Sequence, residues 1–279
     1  MKITKPIALQ LYSVRFLLEE DFYGTLKQIA DMGYQGVEFA GFFDKKASEI
    51  KKVLDELNLK PVSSHISLYN FLEDFDKEVA YHKELGIKYC VVPWSNPEQR
   101  PGHEDWGKTR EQYIEVGRKL KENSIELFYH NHDFEFEKVD GEYILDYMFR
   151  DVPSEYLNPQ LDICWVKVGG ADPTEYIKKY SNRMKTLHLK DFIKTSDSND
   201  NLYALIDSKG KDDKKVEQNE EDTFDFVPVG QGQQDMPSIL AAAEKSTIEW
   251  HIVEQDRSSK HSLMDSIKLS LDYLNQFKA

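Results

Sequence analysis

Short apolar, β-branched runs alternate along the chain with stretches whose apolar residues recur every three to four positions, and this alternation predicts the elements. IALQLY (7–12) reads as a first strand. The apolar set Phe22, Leu26, Ile29 and Ala30 then falls on one helical face, and Gly33 ends that helix in the C-cap role. GVEFA (36–40) reads as a second strand, followed by a helix over roughly 44–58. KPVSSHI (60–66) is a third, with a helix over 73–85 stopped at Gly86, and KYCVVPW (88–94) a fourth, with a helix over 104–123. IELFYHNH (125–132) is the fifth, with a shorter helix near 142–149, and NPQLDIC (158–164) the sixth, with a helix over 173–181. MKTLHLKD (184–191) is the seventh and IEWHIVEQD (248–256) the eighth, the latter preceded by a helix over 236–245 and followed by an amphipathic one over 259–276.

Strand starts recur 24–37 residues apart until the last interval, the rhythm of βαβ crossovers and a parallel sheet. Eight such units predict an α/β fold closed as a (β/α)₈ TIM barrel, a single domain over 1–279. An open doubly wound sheet has the same rhythm, but no G-x-G-x-x-G follows the first strand. The long last interval holds a segment, 194–226, with ten acidic and five basic residues. It reads as a solvated acidic loop inserted between strands seven and eight, with NLYALID inside it apolar enough for a small flap over a substrate.

Composition narrows the partners. Over the 279 residues, 50 acidic against 36 basic side chains give a net charge of −14, which repels phosphate backbones and anionic lipid, so neither nucleic acid nor membrane is expected. Cys90 and Cys164 form no CxxC pair or disulfide framework and read as reduced thiols. With no signal peptide or bilayer-long apolar run, the expected location is cytoplasmic. Homo-oligomerisation is open.

In a barrel, chemistry collects at the C-terminal strand ends, where the βα loops converge. Those ends carry Gln10, Tyr12 and Arg15, Glu38, His65, Pro93 and Trp94, His130 to His132, Asp162 and Trp165, His188, Lys190 and Asp191, and finally Glu254 and Asp256. The sharpest subset is His130 or His132, Asp162, His188 and Glu254, one on each of strands five to eight, types that bind a divalent ion through nitrogen and oxygen. Taken singly, His188 between Leu187 and Leu189 is a core histidine, and Asp162 a turn or cap residue. An unpaired carboxylate inside QLDICWV is expensive, however, and alternation points Glu254 inward with Ile252. Lys190 shares the His188 face, where its ammonium either meets a developing oxyanion or pairs with Asp191 or Asp162. Arg15 and the GQG at 230–232 are weak phosphate signals, and Tyr12, Trp94, Trp165 and Phe136 offer faces on which a sugar ring can stack.

LQLYSVR (9–15), YHNHDFEF (129–136), LDICWVKVGGADPTEYIKKYSNR (161–183), LHLKDF (187–192), PVGQGQQD (228–235) and IVEQD (252–256) resemble, in that order, stretches of the sugar phosphate isomerase/epimerase superfamily of xylose isomerase-like TIM barrels. The resemblance implies one divalent metal (manganese, magnesium, cobalt or zinc), held here by His130, Asp162, His188 and Glu254. His130 stands where the epimerases have a glutamate, with His132 on the same face, and Trp165 where several have a substrate-contacting histidine. The implied activity is isomerisation or epimerisation of a sugar by proton abstraction next to a ketose carbonyl through an enediolate. Glu254 and His130 or His132 would exchange the proton, and Lys190 would assist. Gln10, Tyr12, Arg15, Glu38, His65, Trp94 and Trp165 would bind the substrate. Alternatives are a 3-keto-glycoside lyase or hydrolase with the same metal site, a non-catalytic sugar-binding barrel, and a DNA-repair endonuclease, against which the charge speaks.

Overall fold

Eight short strands are largely buried because both their faces are covered, one by helices and one by the barrel interior. A computed structural model describes residues 2–195 and 224–278. The strands are Ile7–Gln10, Gly36–Phe39, Lys60–His65, Tyr89–Val92, Glu126–His130, Asn158–Asp162, Thr186–Leu189 and Trp250–Val253, numbered here one to eight. Each pairs in parallel with its sequence neighbour, and strand one pairs with strand eight through Ile7–His251, Ala8–Ile252 and Leu9–Val253, closing the expected barrel.

Alternation divides the side chains. Leu9, Val37, Phe39, Leu127, Tyr129, Leu161, Leu187 and Val253 pack outward in the large core under the helices. Ala8, Val62, Tyr89, Val91, Phe128 and Ile252 form a separate apolar cluster inside the barrel. Two residues further along the same strands the interior turns polar: Ala8 is followed by Gln10, Phe128 by His130 and Ile252 by Glu254, all buried. A register shift between Val37 and Glu38, where strand three has one extra residue, lets Val62 join the apolar cluster and still sets Ser63 opposite Glu38.

The helices follow their caps. Asp21 accepts the Gly24 N–H to start Phe22–Met32, and Gly33, at φ 104°, ends it in the left-handed region as expected. Phe75–Leu85 ends the same way at Gly86. Three short helices, Arg15–Glu20, Leu68–Glu73 and Ile163–Val168, were not expected; each lies in the connection that leaves a strand's C-terminal end.

Several boundaries differ from expectation. The sixth strand stops at Asp162 instead of running to residue 164, because the Asp162 carboxylate turns back to accept the N–H groups of Cys164 and Trp165 and starts a helix. The seventh stops at Leu189, and Asp191–Lys194 leaves the barrel to pair antiparallel with Phe224–Val227. The margins of the 194–226 insertion are thus ribbon strands, while the NLYALID flap lies outside the described residues. The eighth runs only over Trp250–Val253. Cys90 and Cys164 are free and buried. No helix among the described residues is long and apolar enough to cross a membrane.

Candidate active site

The polar layer at the C-terminal end of the barrel is built by strand ends that satisfy each other. Asn131, at the exit of strand five, clamps strand six: its Oδ1 accepts the Asp162 N–H at 3.0 Å and its Nδ2 donates to the Asp162 carbonyl at 3.3 Å. With Oδ1 of Asp162 occupied by the helix start, Oδ2 is buried with no hydrogen-bond partner, 3.9 Å from His130 Nε2 and 3.3 Å from Lys190 Nζ.

Gln160 and Glu38 set the imidazoles. Gln160 Oε1 faces His130 Nδ1 at 3.2 Å and His65 Nε2 at 2.9 Å, while its Nε2 donates to Glu38 Oε2 at 2.6 Å and to Thr186 Oγ1 at 2.8 Å. Glu38 also accepts from Gln10 Nε2 (2.7 Å), Ser63 Oγ (2.5 Å) and His188 Nε2 (2.5 Å). His188 Nδ1 reaches Glu254 Oε2 at 2.9 Å. Lys190 Nζ lies 3.0 Å from both Glu254 Oε2 and Asp256 Oδ2.

These contacts fix the charges. Burial would raise the Glu38 carboxyl, but His65 and His188 hold it well below the usual carboxylate range. Burial likewise opposes ionisation of Glu254, which Lys190 and His188 overcome. Burial pushes Asp162 upward, with Lys190 opposing. Lys190 keeps its proton against burial because Asp256, Glu254 and Asp162 surround it. His188, between two carboxylates, is raised to about 10 in spite of burial. Burial and neighbouring cations lower His130 and His132 well below the ordinary histidine value, so both are neutral at pH 7.

Above this layer opens a cavity of about 330 Å³. Glu254, Asp256 and Lys190 line one side, just beyond the ends of strands seven and eight; His65, Trp94, His130 and His132 line the other, and Tyr12 completes the lining. Four of the expected substrate-contacting residues do not line it. Gln10 and Glu38 are fully buried in the network beneath its floor. Trp165, also fully buried, packs between His132 and the ribbon residues Phe224 and Phe226. Arg15 bonds the Tyr12 and Asp256 carbonyls, both at 3.0 Å, and stacks on Tyr12. Lys190 pairs with Asp162, Glu254 and Asp256; Asp191 pairs elsewhere.

The GQG phosphate signal has a different explanation. The backbone N–H groups of Gly230 and Gly232 (3.0 Å each) and Gln234 (3.2 Å) donate to the Asp191 carboxylate, so this nest is filled from within. A Cβ on Gly232 would stand 2.1 Å from Asp191 Oδ1, which is why a glycine sits there.

Gln160 was missed from the sequence. Its signal was present: it lies two residues before Asp162, on the same inward face of the strand. Glu135 was missed too. Fully buried behind His132, it accepts the His132 N–H at 2.6 Å and the Tyr129 hydroxyl at 2.5 Å, and burial raises it to about 7.

One nitrogen or oxygen from each of His130, Asp162, His188 and Glu254 lies within 4.8 Å of the others. The set suits a divalent ion on three counts. Asp162 Oδ2 is buried, lacks a hydrogen bond and faces the His130 Nε2 lone pair. His130 is neutral. Gln160 and Glu38 hold the far nitrogens of His130 and His188, the usual support of metal-binding imidazoles.

Residues 26–277 match the family described as xylose isomerase-like TIM barrel. An inosose dehydratase of Clostridium botulinum is 23% identical over 275 residues, covering 90% of this chain and 88% of that protein. One of Clostridium beijerinckii is 25% identical over 195 residues, 62% of this chain and 64% of that protein. A crystal structure of a sugar phosphate isomerase/epimerase from Parabacteroides distasonis superposes with a TM-score of 0.74 at 25% identity, covering 97% of this chain and 93% of that one. The IolI protein with a bound zinc atom superposes at 0.68 with 14% identity over the full length of both chains.

Proposed function

Since the chain belongs to the xylose isomerase-like TIM barrel family, we propose that it is a divalent-metal-dependent enzyme that removes the proton next to the carbonyl of a keto-sugar or keto-polyol. The observation that carries this reading is the convergence of His130, Asp162, His188 and Glu254 beneath a cavity sized for a small ligand. These four would hold the ion, whose binding would displace the proton that His188 otherwise carries; manganese, cobalt and zinc accept such a mixed nitrogen and oxygen set. When bound, the ion supplies Lewis acidity toward a carbonyl and its adjacent hydroxyl.

The side chains then have distinct tasks. Glu254, ionised and at the cavity wall, accepts the α-proton. The Lys190 ammonium beside it stabilises negative charge growing on the enediolate oxygen. His132 on the opposite wall is neutral, and its ring is held edge-on by Trp94 at 5.7 Å. Tyr12 and Trp94 offer faces to the sugar ring and exclude water from it.

The enediolate has two fates. Returned to the other face or the adjacent carbon, the proton gives an epimer or isomer. If a hydroxyl or alkoxyl stands β to the carbanion, its C–O bond breaks instead, the electron pair leaves with oxygen, and a proton is delivered to it. The lining favours elimination: among the described residues, carboxylates line the cavity on the side of strands seven and eight and imidazoles on the opposite side, where two-base epimerisation would want a second carboxylate. The relatives named inosose dehydratase support the same choice.

Neutral substrates fit better than phosphorylated ones. Among the described residues, Lys190 is neutralised by three carboxylates, Arg15 is held by backbone carbonyls, and the amide nest is filled by Asp191. The test is incubation of the metal-loaded protein with keto-inositols and ketoses in D₂O, followed by NMR. Deuterium at the α-carbon or loss of water is expected, and Glu254→Gln should slow it by about 10²–10⁴-fold. Exchange at the wild-type rate in that variant would remove Glu254 from the role.

A further inference from the structure

We propose that a second cavity beside the active site binds the second sugar ring of a two-ring substrate, the first ring of which sits over His130, Asp162, His188 and Glu254. The proposal rests on the active-site reading above and extends it outward. The cavity, of about 690 Å³, lies between the segment that leaves strand three and the start of helix Trp106–Glu122. Trp94 lines both this space and the inner one, so the two adjoin at its indole. Both volumes fall within the range of about 300–1,000 Å³ typical of small-ligand sites.

The lining has the chemistry of carbohydrate recognition. Tyr69 and Leu72 project apolar surface; the Gln112 amide both donates to and accepts from hydroxyls, and Asn96 and Gln99, whose side-chain oxygens accept from Trp94 Nε1 and the Asn96 N–H, offer their NH₂ groups. Among the described residues, the large hydrophobic side chains that stay exposed are Tyr69 (66%), Leu72 (43%) and Tyr12 (37%). All three line one of these two cavities, so the exposed apolar surface is concentrated where a sugar would run from one site to the other. The shared wall is held in place: Trp94 Nε1 reaches Asn96 Oδ1 at 3.4 Å, and its ring abuts Phe134 at 4.7 Å. Amide groups beside the Tyr69 and Trp94 rings, with Glu73, Asp105 and Lys108 also in the lining, suit the hydroxyls and apolar faces of a polyol ring better than a purely apolar partner.

Calorimetric titration of the full chain with glucose and with cellobiose tests this. Wild type should bind cellobiose more tightly than glucose. Tyr69→Ala and Gln99→Ala, both at partly or fully exposed positions, should weaken cellobiose about three- to tenfold and leave glucose unchanged. Equal affinity for the two sugars, or cellobiose binding untouched by both substitutions, would overturn the proposal. So would a dimer at sedimentation equilibrium that Tyr69→Ala dissociates, since a second copy would then fill the cavity. Failure of the active-site reading shows separately, as absence of Co²⁺ binding in a protein that still prefers cellobiose.

Discussion

Replacing Gln160 by leucine tests whether the layer beneath the cavity sets the site above it. Gln160 is fully buried and makes four hydrogen bonds, to His65, His130, Glu38 and Thr186. The bonds to His65, His130 and Thr186 are worth about 1 kcal/mol each and the one to the Glu38 carboxylate about 2 kcal/mol. Leucine returns some apolar burial, so the net loss is about 4 kcal/mol, a fall in Tm of about 8–16 °C for a chain of this size. The second consequence is specific. Without Gln160 Oε1, nothing on that side holds the Nδ1 proton of His130, so the ring is free to turn Nε2 away from Asp162 Oδ2. Loss of such support typically costs about 10–100-fold in metal affinity. Scanning calorimetry on chelated protein reads the first effect, and Co²⁺ titration against a competing chromophore, on protein shown to be folded by circular dichroism, reads the second. A folded variant that binds Co²⁺ within about twofold of wild type would refute the argument that Gln160 orients His130.

Three further outcomes follow from the geometry. Glu135, raised from 4.5 to about 7 by burial, binds its proton more tightly folded than unfolded, so stability should fall as pH rises through that window, by up to about 3 kcal/mol. Glu135→Gln should flatten this slope in urea titrations between pH 5 and 8, and an unchanged slope would assign it to another group. Asp191→Asn replaces one of the two carboxylate oxygens that receive the Gly230, Gly232 and Gln234 N–H groups by a donor; a loss of about 2 kcal/mol and faster amide exchange at those three residues are expected, and unaltered protection would show that the loop holds itself. Adding Co²⁺ to chelated wild type at about 100 times its Kd should stabilise it by about 2.7 kcal/mol, whereas an unmoved Tm at millimolar Co²⁺ would count against the metal site.

The barrel was legible because its strands are buried on both faces and their connections are regular. Their ends were not, for a physical reason. At the rim a strand loses its neighbours, but the residues beyond it, such as Ile163 and Cys164, stay apolar because they bury in a helix instead. An apolar run of that length does not distinguish the two. Among the site residues, polarity at an inward position marked His130, Asp162, His188 and Glu254. It did not mark depth: Glu38 and Gln10 point inward like the others but lie a layer lower, under His188 and out of reach of the cavity. Trp165 is hidden by a ribbon whose strands lie some thirty residues apart in sequence, a pairing that local pattern does not encode.

Depth also explains the electrostatics. Glu38, Asp162, Glu254 and Asp256 are four carboxylates, each less than a tenth exposed, gathered at one end of the barrel. Lys190 and a protonated His188 bring two positive charges to them, and the protein meets the difference in part by pushing Asp162 toward its neutral form. Buried charge of one sign is costly unless it is paired, and a fold selected for stability alone would carry fewer carboxylates here. The cost falls on the residues that face the cavity, while Glu38, beneath them, is saturated by donors from Gln10, Ser63, Gln160 and His188. The excess negative charge therefore belongs to the upper layer, where Asp162 Oδ2 and Glu254 look toward the same point as His130 Nε2, and that is the layer a divalent cation would neutralise.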